Sequence, residues 1–202
     1  MLFRSGYTNR VDVKTSAGRT RLTVPVRGGD GAIPRIDELV IATEHHWAAR
    51  HAKTLEQSYG RSLGWPRLGP AVLDVLRSGE PRLAAMNERL IRLLLDALAI
   101  RCRVVRASEL GPREERGARG LAEVCRRAGA ATYVSGAGGR KYNDPAAFSA
   151  LGVDLVYSAF EHPVHAQPHG AFEAGLSALD LVFSEGDGAG DVLRAGIRPP
   201  SE

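Results

Sequence analysis

Apolar and polar residues alternate along 10–15 (RVDVKT) and again along 20–26 (TRLTVPV), with SAGR between them. Alternation around a short glycine-containing connection predicts an N-terminal β-hairpin. Pro25 has no N–H for a ladder, so it belongs at an edge or a strand end. GGDGAIP (28–34) reads as a loop and DELVIA (37–42) as a short strand. The period then lengthens. Trp47, His51, Leu55 and Tyr59 recur every four residues, which predicts one face of a helix from about 44 to 59, with Thr43 as its cap. The stretch from Gly60 to Gly69 interrupts the pattern. A helix is expected over 70–78, opening on Pro70 as a first helical residue. The clearest stripe follows within 81–99, where Leu83, Met86, Leu90, Leu93, Leu94, Ala97 and Leu98 share one face.

The second half mixes the two periods. RCRVVRA (101–107) reads as a strand and GPREERGARG as a polar connection. Leu121, Val124 and Cys125 mark a helix that stops near Gly129. ATYVS (131–135) predicts a strand that runs straight into GAGGRKYNDP, after which Asp144 caps a short helix starting at Pro145. VDLVYSAF (153–160) predicts another strand, EHPVHAQPHG (161–170) a loop, and AFEAGLSALDLVF (171–183) a helix. The Gly- and Pro-rich end reads as a frayed tip. Strands alternating with helices predict an α/β fold with a mainly parallel sheet flanked by helices, the hairpin supplying an antiparallel part. One domain over 1–190 and a flexible tail over 191–202 is the expected organisation. No internal repeat is visible.

Composition narrows the class. With 202 residues, 44% hydrophobic and 25% charged, the chain is long enough to bury a core. No apolar run reaches the length of a membrane span, and the first ten residues lack the apolar core of a secretion signal. The two cysteines, Cys102 and Cys125, have no C-x-x-C spacing and read as reduced, buried thiols inside regular structure, in a cytoplasmic protein. The net charge is +4, but the arginines are spread along the chain and aromatic residues are few, so no nucleic-acid partner is expected.

Three constellations offer chemistry. In YVSGAGGRKY (133–142) a strand ends in a glycine-rich loop followed by Arg140 and Lys141, the type of place where backbone N–H groups meet an anion. It is neither a P-loop nor a full G-x-G-x-x-G, so a plain turn is the competing reading. His162, His165 and His169 are spaced for a loop metal site, with Glu161 and Asp180 as further oxygen donors, but the spacing lacks the helical H-E-x-x-H geometry and no metal is expected. His51, on the Trp47–Tyr59 stripe, is either a core histidine or a proton acceptor facing a site. His45 and His46 are adjacent, and at least one of them faces solvent. Arg10, after Asn9, is suited to grip a carboxylate or phosphate.

The chain also resembles the WbqC-like family. The resemblance rests on YTNRVDVKTSAGRTRLTVPV (7–26), the W-x3-H-x7-Y spacing of Trp47, His51 and Tyr59, ATYVSGAGGRKY (131–142) and HPVHAQPHGAFEAGLSALDLVFSEG (162–186), which cover most of the chain in order. It implies a bacterial protein of surface-polysaccharide (O-antigen-type) biosynthesis, acting on an activated sugar or acyl donor. The implied reaction is transfer of an acyl or aminoacyl group onto an amino sugar or nucleotide sugar, with a nucleotide or acyl-CoA as donor. The family pattern picks out Asn9, Arg10, Trp47, His51, Tyr59, Tyr133, Ser135, Gly136, Gly139, Tyr142, Pro163, Gln167, Phe172, Ser177, Asp180 and Gly186. Of the loop histidines it favours His162, and it makes His165 a substitution where an aromatic residue is expected.

Family members usually carry a first strand and a P-x-x-P-x-x-G-Y-F-like segment before the Asn-Arg pair, and this chain is expected to lack it. That segment resembles the opening of nucleotidylyl-transferase-type folds, which makes such a fold the expectation by analogy. The resulting expectation has His51 and His162 as catalytic bases. Asn9, Arg10, Trp47, Tyr59, Ser135, Gly136, Gly138, Gly139, Arg140, Tyr142 and Gln167 hold ligand. The alternatives are a non-catalytic ligand-binding or partner protein and a metal-dependent hydrolase.

Overall fold

A computed structural model describes residues 6–27, 34–44, 46–112 and 114–201. The expected loop over 28–33, His45 and Arg113 lie outside the described residues. The chain packs as two compact units, 1–101 with 162–195 and 102–161 with 196–202.

In the first unit the hairpin forms from β1 (Arg10–Thr15) and β2 (Gly18–Thr23), paired antiparallel from Arg10↔Thr23 to Thr15↔Gly18. The turn is tighter than SAGR suggests. Gly18 takes φ +88°, a conformation that L side chains rarely adopt, and so closes the ladder directly after Ser16–Ala17. Pro25 ends the second strand as expected. Beyond it β3 (Val26–Arg27) pairs with β4 (Val40–Ile41). The expected strand over 37–42 is thus cut to two residues, because Ile36–Glu38 turns into a 3-10 helix before it.

Helices make up the rest of this unit among the described residues. α1 (Trp47–Tyr59) follows the predicted stripe, burying Trp47, Leu55 and Tyr59, but it starts after His46 in a left-handed conformation and not at a Thr43 cap. α2 spans Trp65–Arg77, five residues ahead of Pro70, which lies inside it. Pro66 supplies the fixed φ of the first turn, and burial of Leu68, Val72, Leu73 and Leu76 carries the helix through Pro70. α3 (Leu83–Ala97) realises the leucine stripe.

α4 (Gly117–Arg127) and α5 (Pro145–Ser149) belong to the second unit, and α6 (Ala178–Glu185) replaces the longer helix expected over 171–183. Gly170 and Gly175 have positive φ, and the Ser177 hydroxyl accepts from the Leu179 N–H, so the helix is set to begin there. Leu179, Asp180, Leu181, Val182 and Phe183 are all buried, which makes this short helix the centre of the unit. Tyr59 and Trp65 both pack on Phe183, at 5.2 and 5.1 Å between ring centroids. α7 (Ala189–Ala195) follows.

The second unit is built on a three-stranded sheet. β5 (Thr132–Ser135) runs parallel to β6 (Asp154–Phe160), and β7 (Ile197–Ser201) adds antiparallel on the other side. One parallel pair among small sheets replaces the mainly parallel sheet expected, and the fold is mixed α/β. The expected frayed tip is this edge strand, where Pro199 and Pro200 are tolerated because one side of an edge needs no donors. RCRVVRA (101–107) is not a strand: all its residues but Val104 are exposed, so there is no apolar face to bury, and a 3-10 turn begins at Ala107. α4 (Gly117–Arg127) and α5 (Pro145–Ser149) cover a small core of Ala122, Phe148 and Val153, with Tyr133 stacked on Phe148. Asp144 caps α5 through the Ala146 N–H, as the sequence predicts.

Cys102 is exposed in the irregular segment, contrary to the expectation of a buried thiol. Cys125, in α4, is half-buried, and burial raises its pKa. Among the described residues no helix is long and apolar enough to cross a membrane.

Because Phe183 is fully buried against two aromatic rings, Phe183→Ala is expected to cost about 3–5 kcal/mol. Urea unfolding followed by circular dichroism measures it, and a loss below about 1 kcal/mol would contradict this account of the core.

Candidate functional site

α6 buries a carboxylate. Asp180 is 1% exposed, and three side chains from two other segments surround it, one from α1 and two from the irregular stretch before α6. The Tyr59 O–H, at the end of α1, donates to Oδ1 at 2.8 Å. Gln167 Nε2 donates to Oδ2 at 2.7 Å, and His165 Nε2 meets the same oxygen at 3.1 Å. A buried carboxylate without such partners would be prohibitively costly. Burial, above all, pushes the Tyr59 pKa upward, and the Asp180 carboxylate adds to it, so Tyr59 remains a donor.

The network continues into β1. The Lys14 backbone N–H donates to the Tyr59 oxygen at 2.8 Å. The Lys14 side chain is also buried. Its Nζ donates to Gln167 Oε1 at 3.2 Å, to the Gly170 carbonyl at 3.3 Å and to the Ala171 carbonyl. Gln167 is fully engaged: Oε1 also accepts from the Glu173 N–H, and Nε2 also donates to the Glu173 carbonyl. One amide therefore bridges a buried cation and a buried anion. The Ser177 N–H donates to the Asp12 carbonyl, tying the start of α6 to the hairpin.

In the histidine loop, His165, which the family pattern marks as a substitution, is the ring that reaches Asp180. Its Nδ1 faces the Pro163 carbonyl at 3.1 Å and its ring lies edge-on to Phe172, so both nitrogens are tied down. His169 Nε2 meets the Ser58 carbonyl instead. His162 is exposed. The three rings thus have separate surroundings, and among the described residues no group of three His, Cys, Asp or Glu side chains is arranged to hold a metal.

The sequence reading did not single out Lys14 as a site residue. The available signal was that only Lys14, Lys53 and Lys141 break an otherwise all-arginine usage, and Lys14 lies on a strand beside Val13.

A separate cavity of about 90 Å³ lies between the hairpin, α1, α2 and α3. Asn9, Arg10 and His51 line it, so three predicted site residues converge there. The remaining wall is largely apolar and includes Leu22, Leu55, Val72, Leu76, Met86 and Leu90. His51 packs edge-on against the buried Trp47, 5.3 Å between centroids. Burial, with Arg50 adding to it, lowers the His51 pKa to about 4, so the ring is neutral at pH 7. Among the described residues it makes no hydrogen bond. His162 does not line this cavity.

The glycine loop belongs to the second unit. Residues Ala137–Lys141 form a 3-10 helix directly after β5. Gly139 is buried, and a Cβ on it would overlap Ser135 Oγ and come within 2.8 Å of Asn143 Nδ2, which itself donates to Ser135 Oγ at 3.0 Å. A larger residue there would require the Ser135 and Asn143 side chains to shift. Gly136 and Gly138 face open space. The Gly139 N–H is taken by the Gly136 carbonyl, and the Arg140 guanidinium lies 4.0 Å over the Tyr157 ring. Tyr142 is exposed.

A profile of the WbqC-like protein family matches residues 2–192. The chain belongs to the WbqC-like family. It is also similar to the uncharacterized protein Rv1507c of Mycobacterium tuberculosis (strain ATCC 25618 / H37Rv), at 30% identity over 190 residues, covering 93% of this chain and 81% of that one. No solved structure matches the chain. In this WbqC-like chain Tyr59, Gln167 and Asp180 form one network, and Asn9, Arg10 and His51 line one cavity.

Two outcomes follow for this WbqC-like protein. Asp180→Ala leaves the buried Tyr59 hydroxyl without its acceptor, removes one of the two acceptors of the Gln167 amide and takes away the anion nearest to Lys14 in the network, so a loss of about 3–5 kcal/mol is expected in urea unfolding. An unchanged midpoint would contradict the network. His51 is expected to make stability fall on acidification. The unfolded ring, near 6.5, takes up a proton before the folded ring, near 4, so its contribution is full above pH 6.5 and declines toward pH 4. Unfolding midpoints at pH 7 and 4.5 measure this decline, which is expected to be shallower in His51→Gln. An equal decline in both proteins would contradict it.

Proposed function

We propose that this WbqC-like protein is a cytoplasmic transferase of bacterial surface-polysaccharide biosynthesis. It moves a small acyl or aminoacyl group from an activated donor onto an amino sugar or nucleotide sugar. The observation that carries this reading is the convergence of Asn9, Arg10 and His51 on an apolar cavity. An apolar wall suits the acyl group, and Arg10 suits an anionic part of the donor or acceptor. His51 is neutral, takes the proton that the acceptor amine loses as it attacks the acyl carbonyl, and gives it to the departing donor group as the acyl–donor bond breaks. An anion brought to Arg10 raises the basicity of His51 on binding, which offsets the effect of burial. In the second unit, the Gly136–Gly139 loop with Arg140 and Tyr142 is read as a separate place for a phosphate. Trp47, Tyr59 and Gln167 act by holding positions in this scheme, and His162 remains an exposed candidate on the loop.

A second reading has a specific observation behind it. A base works best near the operating pH, and a His51 pKa of about 4 lies well below that. That favours a non-catalytic protein that binds the same class of ligand.

A thermal-shift screen against nucleotide sugars, acyl-CoAs and nucleotides, followed by mass spectrometry of mixtures of the hits, separates the two. For the transferase, a ligand hit, product formation and a loss of roughly 10²–10⁴-fold in turnover for His51→Ala are expected. Binding that survives in His51→Ala with no product from any pair would favour the binding protein. No hit in either assay would overturn both.

A further inference from the structure

The hairpin has a space at each end, and the two differ in chemistry. Toward Arg10 lies the largely apolar cavity described above. At the turn end lies a second pocket of about 280 Å³, within the same unit. Thr15, Ser16 and Thr20 line it from the hairpin, and Thr54, Gln57 and Ser58 from α1. His169 completes the lining from the irregular segment before α6. The local pattern explains the change. Val11, Val13 and Thr15 alternate onto one strand face, so a hydroxyl follows the fully buried Val13 on that face. Thr54, Gln57 and Ser58 have the spacing of one helical face.

Hydrogen-bonding capacity is left over in this pocket. Ser58 is 9% exposed, yet its hydroxyl makes no hydrogen bond among the described residues, not even to the carbonyl four residues earlier where helical serines often bond. Its oxygen is not closed off from solvent. The Ser16 and Gln57 side chains are exposed and also make no hydrogen bond among the described residues. His169 Nε2 meets the Ser58 carbonyl at 3.1 Å. A carbonyl only accepts, so that nitrogen carries the hydrogen, and Nδ1 of the neutral ring is an acceptor. The His169 backbone takes φ +62°, uncommon for a residue with a side chain. Lys14 Nζ secures the turn by donating to the Gly170 and Ala171 carbonyls directly after it.

The lining defines the ligand. Among the described residues, no lysine, arginine, aspartate or glutamate lines the pocket, so a phosphate or carboxylate finds no counter-charge. No large apolar side chain lines it either, so an acyl chain gains little from entering. All seven lining residues offer hydroxyl, amide or imidazole groups, which both donate and accept. A neutral ring with several adjacent hydroxyls answers in kind, since each of its hydroxyls also donates and accepts. At about 280 Å³ the pocket is at the lower end of small-molecule sites and suits one ring rather than a chain of them. We propose that this pocket binds one neutral monosaccharide ring, hydrogen-bonded by Ser58, Gln57 and His169. The site is separate from the cavity of Asn9, Arg10 and His51, and the inference does not depend on the transferase reading.

The test titrates the full chain with methyl α-glucopyranoside, methyl α-galactopyranoside and methyl α-mannopyranoside, followed by ligand-observed NMR. 2-Methoxytetrahydropyran, the same ring without hydroxyl groups, is the control. At least one of the three glycosides is expected to bind at millimolar concentration, and the control is expected not to bind. Gln57→Leu keeps the size of the side chain and removes its amide, and Ser58→Ala removes the hydroxyl. Each is expected to weaken glycoside binding about tenfold. Gln57 is exposed on α1, so Gln57→Leu reads binding without disturbing the core, with circular dichroism confirming the fold even if Ser58→Ala is destabilised. No binding of any of the three glycosides would overturn the inference. So would a control that binds as tightly as the glycosides, or glycoside binding that Gln57→Leu and Ser58→Ala leave unchanged.

Discussion

The burial of the Asp180 carboxylate is the constraint around which the first unit is arranged. A charge at 1% exposure has no water to solvate it, so protein groups must do so. Those groups cannot come from its own helix. They come from α1 through Tyr59, and from the 162–177 segment through His165 and Gln167. Lys14 joins at one remove through the Gln167 amide. A segment with no regular structure of its own is thereby held over the core by polar contacts. This explains how EHPVHAQPHG can be irregular and still well positioned.

The same buried point sets the geometry of the cavity. Tyr59 anchors α1 in rotation, and His51 lies eight residues earlier, about 12 Å along the helix. Lys14 anchors β1 through the Tyr59 hydroxyl, and Arg10 lies four residues earlier, about 13 Å along the strand. Two elements fastened at one end thus present His51, Asn9 and Arg10 at the other. The cost of burying Asp180 and the placing of the candidate site are two sides of one arrangement. The low His51 pKa belongs to it as well, since the packing that fixes the ring against Trp47 also takes it out of water.

Much of the fold was legible because burial imposes a period. The hairpin, the Trp47–Tyr59 face, the leucine stripe of α3 and the Asp144 cap all appear where the pattern places them. The failures have a common cause, which is that local pattern does not reveal partners. RCRVVRA has the composition of a strand and no face to bury. AFEAGLSALDLVF has helical composition throughout, yet the positive φ of Gly175 and the hydroxyl of Ser177 delay the helix. The Pro-rich end looked unstructured because its pairing partner, β6, lies roughly forty residues earlier in sequence. In the site, Lys14 and His165 were missed because a lysine on a strand and a histidine in a loop are ordinary until a buried acid is found to face them.

The sequence by itself determined the class of elements, the faces they bury and the membership of the WbqC-like family, since these depend on periodicity and on local residue patterns. It also placed Asn9, Arg10 and His51 among the candidates. Only the tertiary structure decided that those three share one cavity, that one of the loop histidines is bound to Asp180, and that Gly139 is a packing glycine under Ser135. Each of these is a contact between residues distant in sequence or hidden inside a turn. Such contacts are selected by the cost of leaving a charge, a polar atom or a void unmatched in the interior, and that cost exists only once the chain has folded.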